Sequence, residues 1–246
     1  MEITRRFVQA LAAQASEHPG HSKELPVRLV RAAATVLSVD GIGLGLHWAP
    51  DLQTPLSASD QTAALVERLQ FTVGEGPSQL AAEQRCPVIA TENLLARQWP
   101  ILHDLLVSHT PIRSMLIMPL PGRLHDLGFV SLYFTAPTGV TTVRVLEVGL
   151  VLALISEHLT ASADGPAGTP ATIPPVMHTP DTRRRGRVWT AVSMIVSALQ
   201  ISHSDALALL RGCAYAANRT VDDLAADLVN QRLPLDQLRN DTPNER

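Results

Sequence analysis

Between Thr160 and Thr182 the chain reads TASADGPAGTPATIPPVMHTPDT, with prolines at 166, 170, 174, 175 and 180 and no apolar periodicity. Each proline fixes φ and removes a backbone donor, so the stretch cannot run on as a helix or sit inside a sheet. It is read as a linker over 161–182, and it obliges the 246 residues to fold as two units. Before it lie an N-terminal helix (1–24) and a larger domain (25–160). After it come a small domain (183–239) and a tail (240–246).

Hydrophobic residues make up 46% of the chain, enough for a real core, while aromatics are only 4%, which favours helices over an all-β sandwich. The net charge of −3 marks no obvious polyanion binder, but it is unevenly spread. From Arg183 onward nine arginines face seven acidic residues, a balance of +2, leaving −5 for the remainder. The two cysteines, Cys86 and Cys213, are too far apart to suggest a disulfide framework or a metal site, and they fit a reducing cytosol. The opening MEITRRFVQALAAQ is amphipathic and lacks the apolar centre of a signal peptide. The longest apolar run, VGLVLALI at 148–155, falls short of the roughly 20 residues a membrane span needs. A soluble, cytoplasmic protein with no membrane partner is expected.

In the larger part, helical stripes start at Ile3 and at Leu25, and GIGLGLHW (41–48) alternates as a strand. SDQTAALVERLQ opens on a capping residue and reads as a helix. PVIA (87–90), RSMLIMPL (113–120) and LGFVSLYF (127–134) read as strands, and PILHDLLVSH (100–109) as a helix with proline in its first turn. TTVRVLEVGLVLALISEHL (141–159) closes the domain as a long helix. The sum is an α+β domain, an antiparallel sheet flanked by helices. The closing helix is apolar nearly all round, so one side covers the sheet and the other implies a homodimer seam shared with the first helix.

QFTVGEGP (70–77) raises the question of a phosphate loop. A Walker loop needs Lys and Ser or Thr after its last glycine, and Pro77 and Ser78 stand there instead. A Rossmann loop needs a third glycine and a preceding strand. The glycines are therefore read as a turn that needs positive φ, with Pro77 starting a helix. That turn, the short strand Pro87–Ala90, Trp99–Pro100 before a helix and Pro119–Leu120 closing a strand together resemble the GAF domains of actinobacterial regulators over residues 25–160. The resemblance implies a sensory, dimerising module without catalysis, holding an unidentified small ligand over its sheet. Trp48, Met115, Ile117, Leu132 and Phe134 are the candidate lining, though alternate members of those strands also suit a plain core. Cys86 has no second cysteine in its domain for redox work, and His103 and His109 lie six apart, off a shared helix face, so no cofactor and no metal is expected.

The small part opens on GRVWTAVSMIVSALQ, whose two apolar stripes require burial on two sides. Two capped helices follow, SHSDALALLRGCAYAAN and TVDDLAADLVNQRL, giving an all-α three-helix bundle. The run AVSMIVSALQISHSDALALLRGCAYAANRTVDDLAADLV resembles an ANTAR domain through Ala191, Ala206, Leu209, Leu210, Arg211, Ala214, Asn218, Arg219, Asp223, Ala225 and Val229. It departs where Val192 replaces the family's basic residue and Ser193 its glycine. The resemblance implies binding to stem-loop RNA in nascent transcripts and transcription antitermination. Arg211, Arg219, Asn218 and Tyr215 are the candidate RNA contacts, with Arg185 and Arg187 from TRRRGR, a run that reads either as a solvated linker end or as a phosphate-contacting arm. The five prolines exclude a continuous coiled coil between the domains, leaving masking or effective concentration to couple them. Two alternatives stand: a sensory interaction module whose bundle no longer binds RNA, and a DNA-binding regulator. The aspartates of TVDDLAADLV speak against a major-groove helix.

Overall fold

The computed structural model describes residues 2–17, 25–49, 51–163 and 179–235. Five antiparallel strands form one sheet: β1 (Gly41–Ala49), β2 (Leu52–Ala58), β3 (Val88–Ala90), β4 (Ser114–Pro119) and β5 (Gly128–Phe134), in the order β2-β1-β5-β4-β3. One face carries α1 (Glu2–Glu17), α2 (Leu25–Leu37) and α7 (Val145–Ala163), packed on Ile42, Leu44, Leu132 and Phe134. The other carries α3 (Gln61–Val73), α4 (Pro77–Gln84), α5 (Glu92–Gln98) and α6 (Pro100–His109), packed on Met115, Ile117, Phe129 and Tyr133. The expected antiparallel sheet with flanking helices is present.

The alternation of β1 decides how close α3 can lie. Ile42, Leu44 and Leu46 point to the α2 side, so Gly41, Gly43 and Gly45 fall on the α3 side. A Cβ at Gly43 would stand 2.8 Å from Glu67 Cδ and closer still to its carboxylate oxygen. The missing side chains thus make room for a carboxylate of α3 against the sheet.

Four elements differ from the sequence reading. β2 is an added edge strand, tolerated with Pro55 in it because an edge leaves one row of backbone groups unpaired. α5 is capped by Thr91, whose side chain accepts from the Leu94 N–H. A 3₁₀ turn, Gly139–Thr142, precedes α7, which starts at Val145 and continues through Ala163. The first bundle helix, α8 (Pro180–Leu199), starts behind the cap Thr179, so TRRRGR forms its early turns. Both described ends of the linker read over 161–182 are therefore helical, and 164–178 lies outside the described residues, as does the tail read over 240–246.

α8 (Pro180–Leu199), α9 (His203–Ala216) and α10 (Val221–Val229) form the three-helix bundle. Ser202 and Thr220 cap the last two, each accepting from the N–H three residues on. The bundle core is Val188, Ala191, Val192, Ile195, Leu210, Ala214, Leu224 and Leu228, and one residue of the sheet domain, Phe71, joins it. Val192 is fully buried in that core, so the position where a basic residue was missed is a packing position here.

Among the described residues one helical stretch, Val145–Ser162, has the length and mean hydropathy (1.5) of a membrane span. Its Val148, Val151, Leu152, Ile155 and Leu159 are buried against the sheet, while Val145, Leu146 and Leu150 are exposed.

Candidate functional site: the seam between sheet domain and bundle

Phe71 lies on α3 one helical turn beyond Glu67, away from the stripe of Ala63 and Val66 that packs on the sheet. Its ring is buried, edge-on to Trp189 at 6.4 Å, and the Arg185 guanidinium sits over its face at 3.4 Å from the centroid. Arg185 is 2% exposed. Its Nε donates to Asp222 Oδ1 (3.2 Å) and its Nη2 to Asp222 Oδ2 (3.3 Å), a two-pronged pair. The third arm, Nη1, donates to the Gln53 carbonyl of β2 at 3.2 Å. Burial pulls the Arg185 pKa below its ordinary value, and Asp222 and Glu67 oppose that pull. A charge so enclosed is tolerable only while its carboxylate, carbonyl and ring are all in place.

Further bonds cross the seam. Arg211 donates from Nε to the Phe71 carbonyl (3.1 Å) and from Nη1 to Asp51 Oδ1 (2.9 Å). The Val221 N–H, unpartnered within its own helix, donates to Thr72 Oγ1 at 3.0 Å. Thr182 Oγ1 donates to the Pro55 carbonyl at 3.0 Å.

The GEGP turn borders this seam. Gly74 ends α3 at φ 78°, its N–H donating to the Gln70 carbonyl, and a Cβ there would meet the Arg211 guanidinium at 3.0 Å. Behind the turn, the Ser78 N–H at the start of α4 donates to Gln70 Oε1 at 3.2 Å. A side chain thus occupies the donor that an anion would use at that helix start.

Under α3 the Tyr133 hydroxyl donates to Glu67 Oε1 at 2.5 Å, and Gln70 Nε2 donates to the Tyr133 oxygen at 3.5 Å. Burial raises the Glu67 pKa, against the pull of its Tyr133 and Ser131 hydrogen bonds and the Arg185 charge. Burial likewise raises Tyr133 well above the ordinary tyrosine range. His47, edge-on to Phe129, is held down to about 4, by burial first and the Arg185 charge second. The sheet interior and the seam are thus one electrostatic unit centred on Arg185.

The structure distributes the candidate RNA contacts unevenly. Arg185 is enclosed, so reading it as part of a solvent-facing phosphate arm does not hold for this arrangement; burial against Asp222 and Phe71 is the reason. Arg211 is tied into the sheet domain with 17% of its side chain exposed. Arg187 and Tyr215 are exposed. Arg219 pairs with Asp227 Oδ2 at 2.6 Å. Asn218 is exposed at φ 52° and meets His109 Nε2 at 3.2 Å through Oδ1.

The candidate ligand lining does not assemble. Met115 and Ile117 belong to the α3 face, whereas Leu132 and Phe134 belong to the α2 face. The register pairs Met115 with Tyr133 and Leu116 with Leu132, and directly opposed residues share a face, so the chosen sets had opposite parity. Trp48 is 46% exposed near the end of β1. Among the described residues no group of three His, Cys, Asp or Glu side chains is placed to hold a metal.

Sequence reasoning missed Phe71, Asp51, Gln53 and Asp222. Phe71 carried a signal: an aromatic residue outside the apolar stripe of its helix needs a second partner. Asp222 carried none, since one of two adjacent aspartates in a first helical turn ordinarily faces water.

No protein-family model matches the sequence, and no curated protein matches it significantly. Among solved structures the chain is similar to the GAF domain of an Acinetobacter phosphoenolpyruvate-protein phosphotransferase, at 14% identity and a TM-score of 0.45, covering 68% of this chain and 96% of that one. It is similar to the corresponding domain from Coxiella burnetii at 14% identity and 0.40, covering 64% and 98%. It is also similar to Escherichia coli SdiA at 16% identity and 0.43, covering 87% and 92%.

Proposed function

We propose that the chain is a GAF-type sensor controlling an ANTAR-type RNA-binding bundle, acting as a transcription antiterminator in which the docked form is the restrained state. The observation that carries this reading is the seam. Two of the six candidate RNA contacts, Arg185 and Arg211, are committed to Asp222, Gln53, Phe71 and Asp51. A side chain bonded to the sheet domain is withdrawn from phosphate; undocking frees Arg211 from Asp51 and Phe71 and Arg185 from Gln53 and Phe71, while the Arg185–Asp222 pair, internal to the bundle, persists. Exposed Arg187, Tyr215 and Arg219 give the docked form a weaker residual surface. The reading includes a homodimer through α1 and α7, supported by the exposure of Val8, Leu146 and Leu150.

The test is binding of the full chain to a tandem stem-loop RNA and to duplex DNA of equal length across a salt series. RNA-selective binding is expected to rise in Phe71→Ala, which loosens the seam. Arg211→Ala is expected to weaken it and to reduce the salt slope by about 1. Equal binding to duplex DNA would favour a DNA regulator, and no binding by either chain at low salt would leave an interaction module.

A further inference from the structure

A cavity of about 200 Å³ opens beside the Phe71 cluster, walled by both domains. Its floor is apolar: Leu65 and Leu69 of α3, one helical turn apart, and Leu105 of α6. Its other wall is the end of α9 (Tyr215), the α9–α10 connection (Asn218, Arg219) and the start of α10 (Asp223). For scale, cavities of about 150 Å³ admit a benzene ring.

The polar wall holds charges of both signs, Arg219 and Asp223. Asp223 is in the lining, and each of its oxygens already has a partner: Oδ1 accepts from Arg184 Nη1 (3.3 Å) and Oδ2 from Thr220 Oγ1 (2.7 Å). Arg219 spends Nη2 on the Asp223 carbonyl (3.3 Å) and Asp227 (2.6 Å), and among the described residues its Nη1 and Nε have no protein acceptor. Asn218 uses Oδ1 toward His109, leaving its amide donors. Unspent capacity in the wall is therefore mainly donors, with a cation among them. Asn218 stands at φ 52°, a conformation an asparagine adopts more readily than most residues, and this aims the connection at α6.

We propose that this seam cavity binds a small one-ring carboxylate, with the ring on Leu65, Leu69 and Leu105 and the carboxylate on Arg219 and Asn218. A molecule held there touches α3 and α6 on one side and the α9–α10 connection on the other, so it clamps the docked form. The binding site stands without reference to RNA; its effect on RNA affinity rests on the function proposed above.

Benzoate, cyclohexanecarboxylate and benzamide are the probes, titrated into the full chain by calorimetry and ligand-observed NMR. Ligands of this size bind with dissociation constants of about 1 mM or better when the fit is good. Both carboxylates are expected to saturate, with benzamide weaker by about tenfold. Arg219→Gln, a change on a solvent-facing side chain, is expected to remove that tenfold advantage while leaving benzamide unchanged. Leu105→Trp is expected to fill the floor and abolish binding of all three. Carboxylate binding unaffected by Arg219→Gln, equal binding of benzamide, or no saturation by any carboxylate would each overturn the site. If the carboxylate binds as described but no RNA binds under any condition, the site stands and the antitermination reading falls. If RNA binds and carboxylates do not, the reverse holds.

Discussion

Replacing Asp222 by alanine tests whether its pair with Arg185, internal to the bundle, positions the guanidinium that reaches across the seam to Gln53 and Phe71. Asp222 is 1% exposed and supplies two of the three hydrogen-bond acceptors around the Arg185 guanidinium. Removing one member of a buried ion pair costs about 3–5 kcal/mol when the other charge stays buried. Here the Gln53 carbonyl and the Phe71 ring remain, which places the cost near the lower end, about 3 kcal/mol. The rest of the seam sets a ceiling. Burial of Phe71 contributes about 1.5–3 kcal/mol. The Arg211, Val221 and Thr182 bonds across the seam add about 1 kcal/mol each, before the entropy of ordering is subtracted. The two quantities are comparable, so the stranded charge is expected to appear as weakened docking. Urea denaturation of Asp222→Ala should lose its single transition and show an early step of small m-value. The Val221 amide, which bonds across the seam to Thr72, should lose hydrogen-exchange protection in that step. Arg185→Met combined with Asp222→Leu, which removes both charges and keeps the volume, should restore most of the stability. If Asp222→Ala shifted stability by less than about 1 kcal/mol and left Val221 protection intact, the pair would not be what positions Arg185 at the seam.

Three further outcomes follow from the geometry. Gly43→Ala should cost about 2 kcal/mol by driving Glu67 off the sheet, and Glu67→Ala in that background should recover much of it, as read from urea midpoints. His47 takes up its proton near pH 4 when folded and near 6.5 when unfolded, so the unfolded chain binds more protons between those values and stability falls as pH drops through that window. Glu67, with its raised value, contributes in the opposite sense, so the comparison is with His47→Asn. The wild type should lose about 1–2 kcal/mol more than this variant between pH 7.5 and 5. For the dimer, Leu150→Glu on the exposed side of α7 should convert a dimeric species to monomer in light scattering without shifting the thermal transition of a dilute sample far; an unchanged mass would move the dimer seam elsewhere.

The fold was legible where local signals and the global arrangement agree. Capping residues marked α3, α9 and α10, alternation marked β1, and proline marked the starts of α4 and α6. β2 was lost because Pro55 argues against a strand, and only the neighbour β1 shows that this strand lies at an edge. The candidate ligand lining failed for a related reason. Alternation along one strand says which residues share a face, but not which face of one strand matches which face of the next. That depends on register, and register pairs Met115 with Tyr133, so Met115 and Leu132 face opposite ways.

The seam shows a deeper limit. TRRRGR reads as a solvated or phosphate-seeking run because arginine is seldom buried, and that prior holds for Arg187 while failing for Arg185 two residues away. What separates them is which side of α8 meets β2 and α10, a tertiary fact. An arginine suits such a place better than lysine: its flat fork reaches a carboxylate with two arms, a carbonyl with the third, and an aromatic face with its plane. The same properties suit it to phosphate. An arginine that binds RNA and an arginine that binds an internal carboxylate therefore look alike in sequence. Asp222, the internal competitor, sits in the acidic start of α10, the feature that weighed against a DNA-reading helix. Asp222 is buried and pairs with Arg185 inside the bundle, whereas the neighbouring Asp223 stays 45% exposed beside Arg184, so only part of the acidic start of α10 faces water.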